Sequence, residues 1–227
     1  MSNTPQDTNV SLDQIKCYTL PPKKAPQAKS LVIMLHGLGA DGRDLMALAP
    51  YLQEALPETA FLAPDAPFPC DMAPMGYQWF SLQDRSEGAM LDGVHKASGI
   101  LNALIDSQLK EYDLPAEKCA LFGFSQGTML ALHTALRREE PLGGVLGFSG
   151  ALIGAELLEE ELRSKPPVHL VHGMRDDIVP FSAHAPALNA LKGFDVPVTT
   201  TTCPELGHSI DEDGMRDGTD FLMKVLG

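Results

Sequence analysis

The sequence predicts an α/β domain built on a largely parallel sheet, and three observations carry that prediction. Short apolar runs recur along the chain and alternate with longer segments whose apolar residues repeat at helical spacing. The run Leu31-Val32-Ile33-Met34-Leu35 is apolar at every position, as a strand covered on both faces must be, and residues 143–148 read the same way. Gly-rich or polar segments follow these runs, where the loops of such a sheet carry reactive groups. A length of 227 residues with 44% hydrophobic and 21% charged content suits one globular domain. A chain of that size buries about 70% of its unfolded surface without staples.

Taken in order, residues 1–13 are polar, carry no Lys or Arg and read as a loose tail. They have neither the basic region nor the apolar stretch of a secretory signal. Residues 15–20 form an edge strand that stops at Pro21-Pro22. The strand 31–35 ends in the loop His36-Gly37-Leu38-Gly39-Ala40-Asp41-Gly42, followed by one helix over 44–56 and a strand over 60–63. Residues 64–87 contain Pro64, Pro67, Pro69 and Pro74 and cannot be one regular element. Val94, Leu101, Leu104, Ile105 and Leu109 mark a helix over 88–111. A strand over 119–122 and a helix over 128–138 come next, then the strand 143–148 and an acidic, solvated helix over 156–163. The chain closes with a strand at 167–171, a helix at 182–191, a strand at 196–202 and a helix at 210–226. No repeat or linker marks a second domain, so residues 14–227 are expected to fold as one unit.

A formal charge of -13 argues against a nucleic-acid partner and against docking to anionic lipid by charge. No apolar run approaches the roughly 18 residues of a membrane span. Cys17, Cys70, Cys119 and Cys203 are widely spaced, with no Cys-x-x-Cys pair and no zinc spacing. Reduced thiols in a cytoplasm are the simple account, with Cys17 and Cys119 as small buried hydrophobes in strands.

Gly123-Phe124-Ser125-Gln126-Gly127 joins the strand 119–122 to a helix carrying Met129, Leu132 and Leu136. In such a strand-to-helix elbow the Ser backbone is strained, and Gly two positions either side avoids side-chain collisions. The hydroxyl then stands above the sheet beside the positive end of the new helix. Ser125 is therefore the expected nucleophile, although a bare Gly-x-Ser-x-Gly also occurs as an ordinary turn. Ser149 in Gly147-Phe148-Ser149-Gly150 is a decoy, since no Gly stands two residues after it.

After the strand 167–171 comes His172-Gly173-Met174-Arg175-Asp176-Asp177, and after the next strand Gly207-His208-Ser209. His208 is the candidate base and Asp176 its expected orienting partner, with Asp177 the alternative, and a surface histidine beside a helix start the other reading of His208. The order Ser, Asp, His is that of α/β hydrolases. Ser209-Ile210-Asp211-Glu212 also fits a helix capping box, which would fix the loop that presents the imidazole. His169 and His172 face opposite ways on their strand, suiting neither a metal pair nor a base. His133 is a packing histidine, and His95 and His184 are expected to be exposed. Ser125 at its ordinary pKa needs His208 to take its proton and return it to the leaving group, while Asp176 holds the imidazole tautomer. Backbone N–H groups of Leu38 and Gln126 bind the oxyanion, and no metal or organic cofactor is needed.

These motifs, together with Pro141-Leu142-Gly143-Gly144, resemble the phospholipase/carboxylesterase family, which includes the acyl-protein thioesterases. The resemblance runs from about Leu31 to the C-terminus. It implies an α/β-hydrolase fold without a large cap domain, hydrolysis of carboxylic esters or thioesters, and a triad of Ser125, Asp176 and His208 with Leu38 and Gln126 as oxyanion donors. Substrates would be small esters or thioesters, acyl-lipids or acylated proteins. Thr128 departs from the pattern, standing where the family usually has a third Gly, so the first turn of the helix is expected to be crowded. Met72, Met75, Trp79 and Phe80 in the 64–87 stretch either line an acyl groove over the nucleophile or pack as a plain loop on the core. Exposed apolar residues there would permit a homodimer.

Two other functions fit parts of the chain. Gly37-x-Gly39-x-x-Gly42 follows a strand, and Asp65 ends the next one, as in a dinucleotide site. That reading leaves the elbow, Asp176 and His208 unexplained. A catalytically silent hydrolase fold used for binding is the other, and the presence of every triad residue type argues against it.

Overall fold

The computed structural model describes residues 10–227. Most of the tail expected over residues 1–13 thus lies outside the described residues. Within the remainder, Leu12–Gln14 is a short 3-10 turn, and Leu12 packs against the core.

Seven strands form the central sheet: β1 (Cys17–Leu20), β2 (Ser30–Leu35), β3 (Thr59–Pro64), β6 (Cys119–Phe124), β7 (Gly144–Phe148), β8 (Val168–Gly173) and β9 (Val198–Cys203), in the order β1-β3-β2-β6-β7-β8-β9. Every pairing is parallel except that of β1 with β3, so the predicted edge strand is the one antiparallel member. The strands β2, β3, β6, β7 and β8 are buried almost throughout, which is why 31–35 and 143–148 read as unbroken apolar runs, although β8 also buries His169 and His172.

Side chains of each strand alternate between two cores. Leu31, Ile33, Leu35 and Leu121 join one cluster, Val32, Met34, Ala120 and Phe122 the other. The first is covered by α3 (Glu87–Tyr112), α4 (Gln126–Leu136), α5 (Leu158–Glu161) and α6 (His184–Gly193), and the second by α1 (Gly42–Met46), α2 (Ala49–Ala55) and α7 (Glu212–Leu226). This mostly parallel sheet with helices on both faces is the predicted class.

Several expectations need correction. The single helix over 44–56 is two, α1 and α2, with Pro50 in the first turn of the second, where its missing N–H costs nothing. The acidic helix over 156–163 is a 3-10 turn, Ala155–Leu157, running into the one-turn α5, whose Leu158 is buried. The capping box at Ser209 does not form. Asp211 is the cap of α7, its carboxylate accepting from Gly214 N at 2.8 Å. His184 is buried, 5% exposed, with Nε2 2.7 Å from Thr200 Oγ1.

The 64–87 stretch contains a small hairpin, β4 (Phe68–Pro69) against β5 (Tyr77–Gln78), turned by Gly76 at φ 83°. A Cβ on Gly76 would lie 2.0 Å from Gly39 O, so the hairpin and the loop after β2 touch backbone to backbone. Asp65, the acid of the dinucleotide reading, is buried with Oδ1 accepting from Gly42 N at 2.8 Å. Its carboxylate is spent inside the fold.

Candidate active site

Ser125 occupies φ 53°, ψ -117°, a conformation that costs a non-Gly residue on the order of 1–3 kcal/mol and persists only where the surroundings impose it. The flanking glycines impose it by space. A Cβ on Gly123 would lie 2.5 Å from Thr128 N, and one on Gly127 only 1.9 Å from Leu35 O. Ser125 N donates to Phe148 O at 2.9 Å, which pins the turn to β7. The crowding expected at Thr128 is absorbed next door, because its side chain sits where a Cβ on Gly147 or Gly150 would be, 2.5 and 2.4 Å away. Thr128 Oγ1 also donates to Phe148 O at 2.8 Å.

Asp176 and His208 meet. Asp176 Oδ2 accepts from His208 Nδ1 at 2.8 Å, while Oδ1 accepts from Ile178 N at 3.0 Å and Val179 N at 2.9 Å. The bond to the carboxylate fixes the imidazole tautomer, with the proton on Nδ1 and Nε2 left as the acceptor. Burial pushes the Asp176 carboxyl up, but the His208 bond and the two backbone N–H groups outweigh it and leave the pKa below the ordinary value. Gly173 allows the two loops to approach, since a Cβ there would lie 2.3 Å from Leu206 O and 2.4 Å from Gly207 O. Arg175 N donates to Leu206 O at 2.9 Å, tying them together.

The His208 ring packs 4.9 Å from the ring of Phe124, the residue before the elbow serine. Among the described residues its side-chain hydrogen bond is to Asp176, and the Ser125 hydroxyl does not reach it within bonding distance. Serine-to-histidine bonds are often long until substrate is bound. Asp177 is not drawn into this arrangement: among the described residues its carboxylate makes no hydrogen bond.

The loop after β2 lies against the elbow, where a Cβ on Gly37 would be 3.4 Å from Ser125 Cβ. Among the described residues the backbone N–H groups of Leu38 and Gln126 have no hydrogen-bond acceptor. Those are the two amides expected to receive an oxyanion. His36 holds the loop: Nε2 accepts from Ala66 N at 2.9 Å, so the proton is on Nδ1, which donates to Gly37 O at 2.7 Å. Burial lowers its pKa against the opposing effect of the Gly37 carbonyl, keeping the ring neutral.

The 64–87 stretch divides. Trp79 and Phe80 are 1% and 2% exposed and belong to the core, so the groove reading is corrected for these two. Trp79 Nε1 donates to His36 O at 2.9 Å, Trp79 N to Gln126 Oε1 at 3.0 Å, and Gln126 Nε2 to Phe80 O at 2.8 Å. Met72 and Met75, by contrast, are 50% and 80% exposed. Met174 and Ile178 are also exposed, and they flank Asp176 two residues either side. The sequence reading passed over both, although apolar residues around an acid in a strand-end loop were the available signal. The roles of His36 and of the Gln126 side chain were missed as well.

Ser149, the expected decoy, has a buried hydroxyl with no partner among the described residues. His133 is a packing histidine, wholly buried, with burial pushing its pKa down to about 4 and Nδ1 3.2 Å from Ile153 O. His169 lies against Phe221 and His172 against Phe181, on opposite sides of the sheet as expected. Among the described residues no group of three or more His, Cys, Asp or Glu is placed to hold a metal ion, and no helix is long and apolar enough to cross a membrane.

Comparison with known proteins agrees with this layout. The phospholipase/carboxylesterase family model matches residues 20–226. The acyl-protein thioesterase 1 of Aspergillus fumigatus is 31% identical over 229 residues, covering 92% of each chain, and that of Debaryomyces hansenii is 30% identical over 218 residues, covering 89% of this chain and 94% of its own. Among solved structures, esterase PE8 superposes with a TM-score of 0.89 at 40% identity, covering 94% of this chain and all of its own. The acyl-protein thioesterase 2 of Zea mays gives a TM-score of 0.76 at 26% identity, covering 93% and 99%. With an elbow serine, an Asp–His pair and two unspent amides on one edge of a parallel sheet, and with likeness along nearly its whole length, the chain belongs to the phospholipase/carboxylesterase family.

Proposed function

We propose that the protein hydrolyses carboxylic esters and thioesters through an acyl-enzyme, with Ser125 as nucleophile, His208 as general base and acid, and Asp176 as the carboxylate that orients His208. The single observation that carries this is the 2.8 Å bond from His208 Nδ1 to Asp176 Oδ2. It frees Nε2 to take the Ser125 proton as Oγ attacks the acyl carbon, and to return it to the departing alcohol or thiol. Gln126 N–H and Leu38 N–H stabilise the oxyanion of the tetrahedral intermediate, a contribution of about 10²- to 10³-fold in rate per donor. Water, activated by the same imidazole, then releases the acid.

The acyl chain is assigned to an apolar rim made of four exposed side chains, Met72 and Met75 from the 64–87 stretch and Met174 and Ile178 from the loop that carries Asp176. Methionine suits such a surface because its unbranched, polarizable side chain adapts to chains of different length. Acyl-lipids and acylated proteins are the substrate classes that match such a rim. Residues 14–227 act as a single hydrolase domain. The free thiols of Cys17, Cys70, Cys119 and Cys203 support work in a reducing cytoplasm.

A series of p-nitrophenyl esters of rising chain length, run beside acyl thioesters, tests this reading. Turnover that vanishes in Ser125→Ala is the expected result. A Ser125→Ala variant as active as the wild type would overturn it.

A further inference from the structure

His172 is a buried, titratable side chain that the reaction above does not use. It sits near the end of β8, 1% exposed, with Nε2 2.9 Å from Val179 O and 3.4 Å from Asp176 Oδ2. A carbonyl only accepts, so Nε2 carries the proton and donates to Val179 O while lying beside the carboxylate. Val179 in turn gives its own N–H to Asp176 Oδ1 at 2.9 Å. One imidazole thus closes the loop 176–179 from its far end and flanks the oxygen that receives His208.

The ring itself has little freedom. It meets Phe181 and His184 edge-on, at 5.7 Å and 5.5 Å between centroids, and those two rings stack on each other at 5.4 Å. His184 is anchored by Thr200 Oγ1 at 2.7 Å. The chain of contacts runs from β9 through His184 and His172 to Asp176, which makes the carboxylate's orientation a property of the sheet rather than of its loop.

We propose that His172 is a positioning residue for the hydrolysis, holding the Asp176 carboxylate in the orientation that receives His208 Nδ1–H. With an apolar side chain at 172, Val179 O loses its donor and Oδ2 loses the polar neighbour on its other side, so the carboxylate turns away from the imidazole for part of the time. Turnover falls more than substrate affinity, because the proton transfer depends directly on the carboxylate's orientation, while Met72 and Met75, which lie outside this loop, keep their place in the acyl-binding surface. The proposal rests on Asp176 and His208 serving as assigned above.

The test compares wild type, His172→Leu, His172→Gln and Asp176→Asn for kcat and KM on one p-nitrophenyl ester, for folding by thermal melt, and for the low-field proton resonance of the His208 to Asp176 hydrogen bond. His172→Leu is expected to lower kcat about 10- to 100-fold, the usual effect of removing a partner behind a reactive group, with KM changed less than about twofold and the resonance shifted or broadened. His172→Gln places an amide N–H near the position of Nε2 and is expected to recover most of kcat and the resonance. A folded His172→Leu with wild-type kcat overturns the proposal, as does a lowered kcat with an unchanged resonance, or a His172→Gln as impaired as the leucine variant. If the leucine variant does not fold, His172→Asn, whose shorter amide falls short of Val179 O, takes its place with the same expected losses. Wild-type kcat in Asp176→Asn would instead bring down the assignment of Asp176, and with it the ground for a positioning role.

Discussion

The elbow around Ser125 and the stretch from residue 64 to 87 lie against each other, yet they are built by different forces. The elbow is shaped by exclusion: Gly123 and Gly127 stand where any Cβ would collide with Thr128 N or Leu35 O, and the strained Ser125 follows. The neighbouring stretch is shaped by attraction at long range. Trp79 reaches His36 O and Gln126, Tyr77 exchanges backbone bonds with Gly39 and Ala40, and Phe80 O takes the Gln126 amide. Steric exclusion leaves a mark in the sequence, a glycine at a fixed spacing. Hydrogen bonds between residues 37 to 47 positions apart leave none.

The comparison can be broken most severely at Gly127. Gly127→Ala puts a methyl 1.9 Å from Leu35 O, and backbone cannot yield as a side chain can, so a loss above about 4 kcal/mol or failure to fold is expected in denaturant titration. Wild-type stability would show that the turn has room the structure denies. Trp79→Ala should cost about 3–5 kcal/mol in the same titration and lower turnover on short and long esters alike, because it removes a core side chain and unties the loop carrying Leu38. A change confined to chain-length preference would return Trp79 to the groove.

Asp176 tests the ground between the two regions, since its bonds are both local, to Ile178 and Val179, and distant, to His208. Its folded pKa lies below the unfolded value of 3.8, so the carboxylate contributes stability that is whole above that pH and is lost as pH falls through the folded value. Asp176→Asn should be less stable than wild type near neutrality, and the gap should close below about pH 4. A gap independent of pH would contradict the assigned network. The smallest effect is expected at the exposed tip of the hairpin. Met75→Ser should leave stability within about 0.5 kcal/mol and raise KM for long acyl chains more than for short ones.

How much was legible follows the same division. The strands could be read because burial on both faces demands apolar residues at every position, and 31–35 shows it. The serine, acid and histidine could be read because each lies just after a strand or in the loop that follows one, although β9, the strand before His208, is Thr-rich and half-exposed. The break between α1 and α2 was marked by Pro50 but overridden by the apolar spacing around it. His184 looked like a surface residue because no local pattern announces that Thr200 and Phe181 will enclose it. Ser209-Ile210-Asp211-Glu212 fitted a capping box, yet the helix starts two residues later, where Asp211 offers a carboxylate to Gly214 N. For Trp79 and Phe80 composition allowed two readings, and only the distant partners His36 and Gln126 decide between them.

The most direct test of the account is the mass of the intact protein after reaction with a fluorophosphonate, followed by mapping of the modified peptide. A single adduct on Ser125, absent in Ser125→Ala and formed far more slowly in His208→Ala, is the expected result. An adduct on any other residue, or labelling that persists in Ser125→Ala, would contradict it.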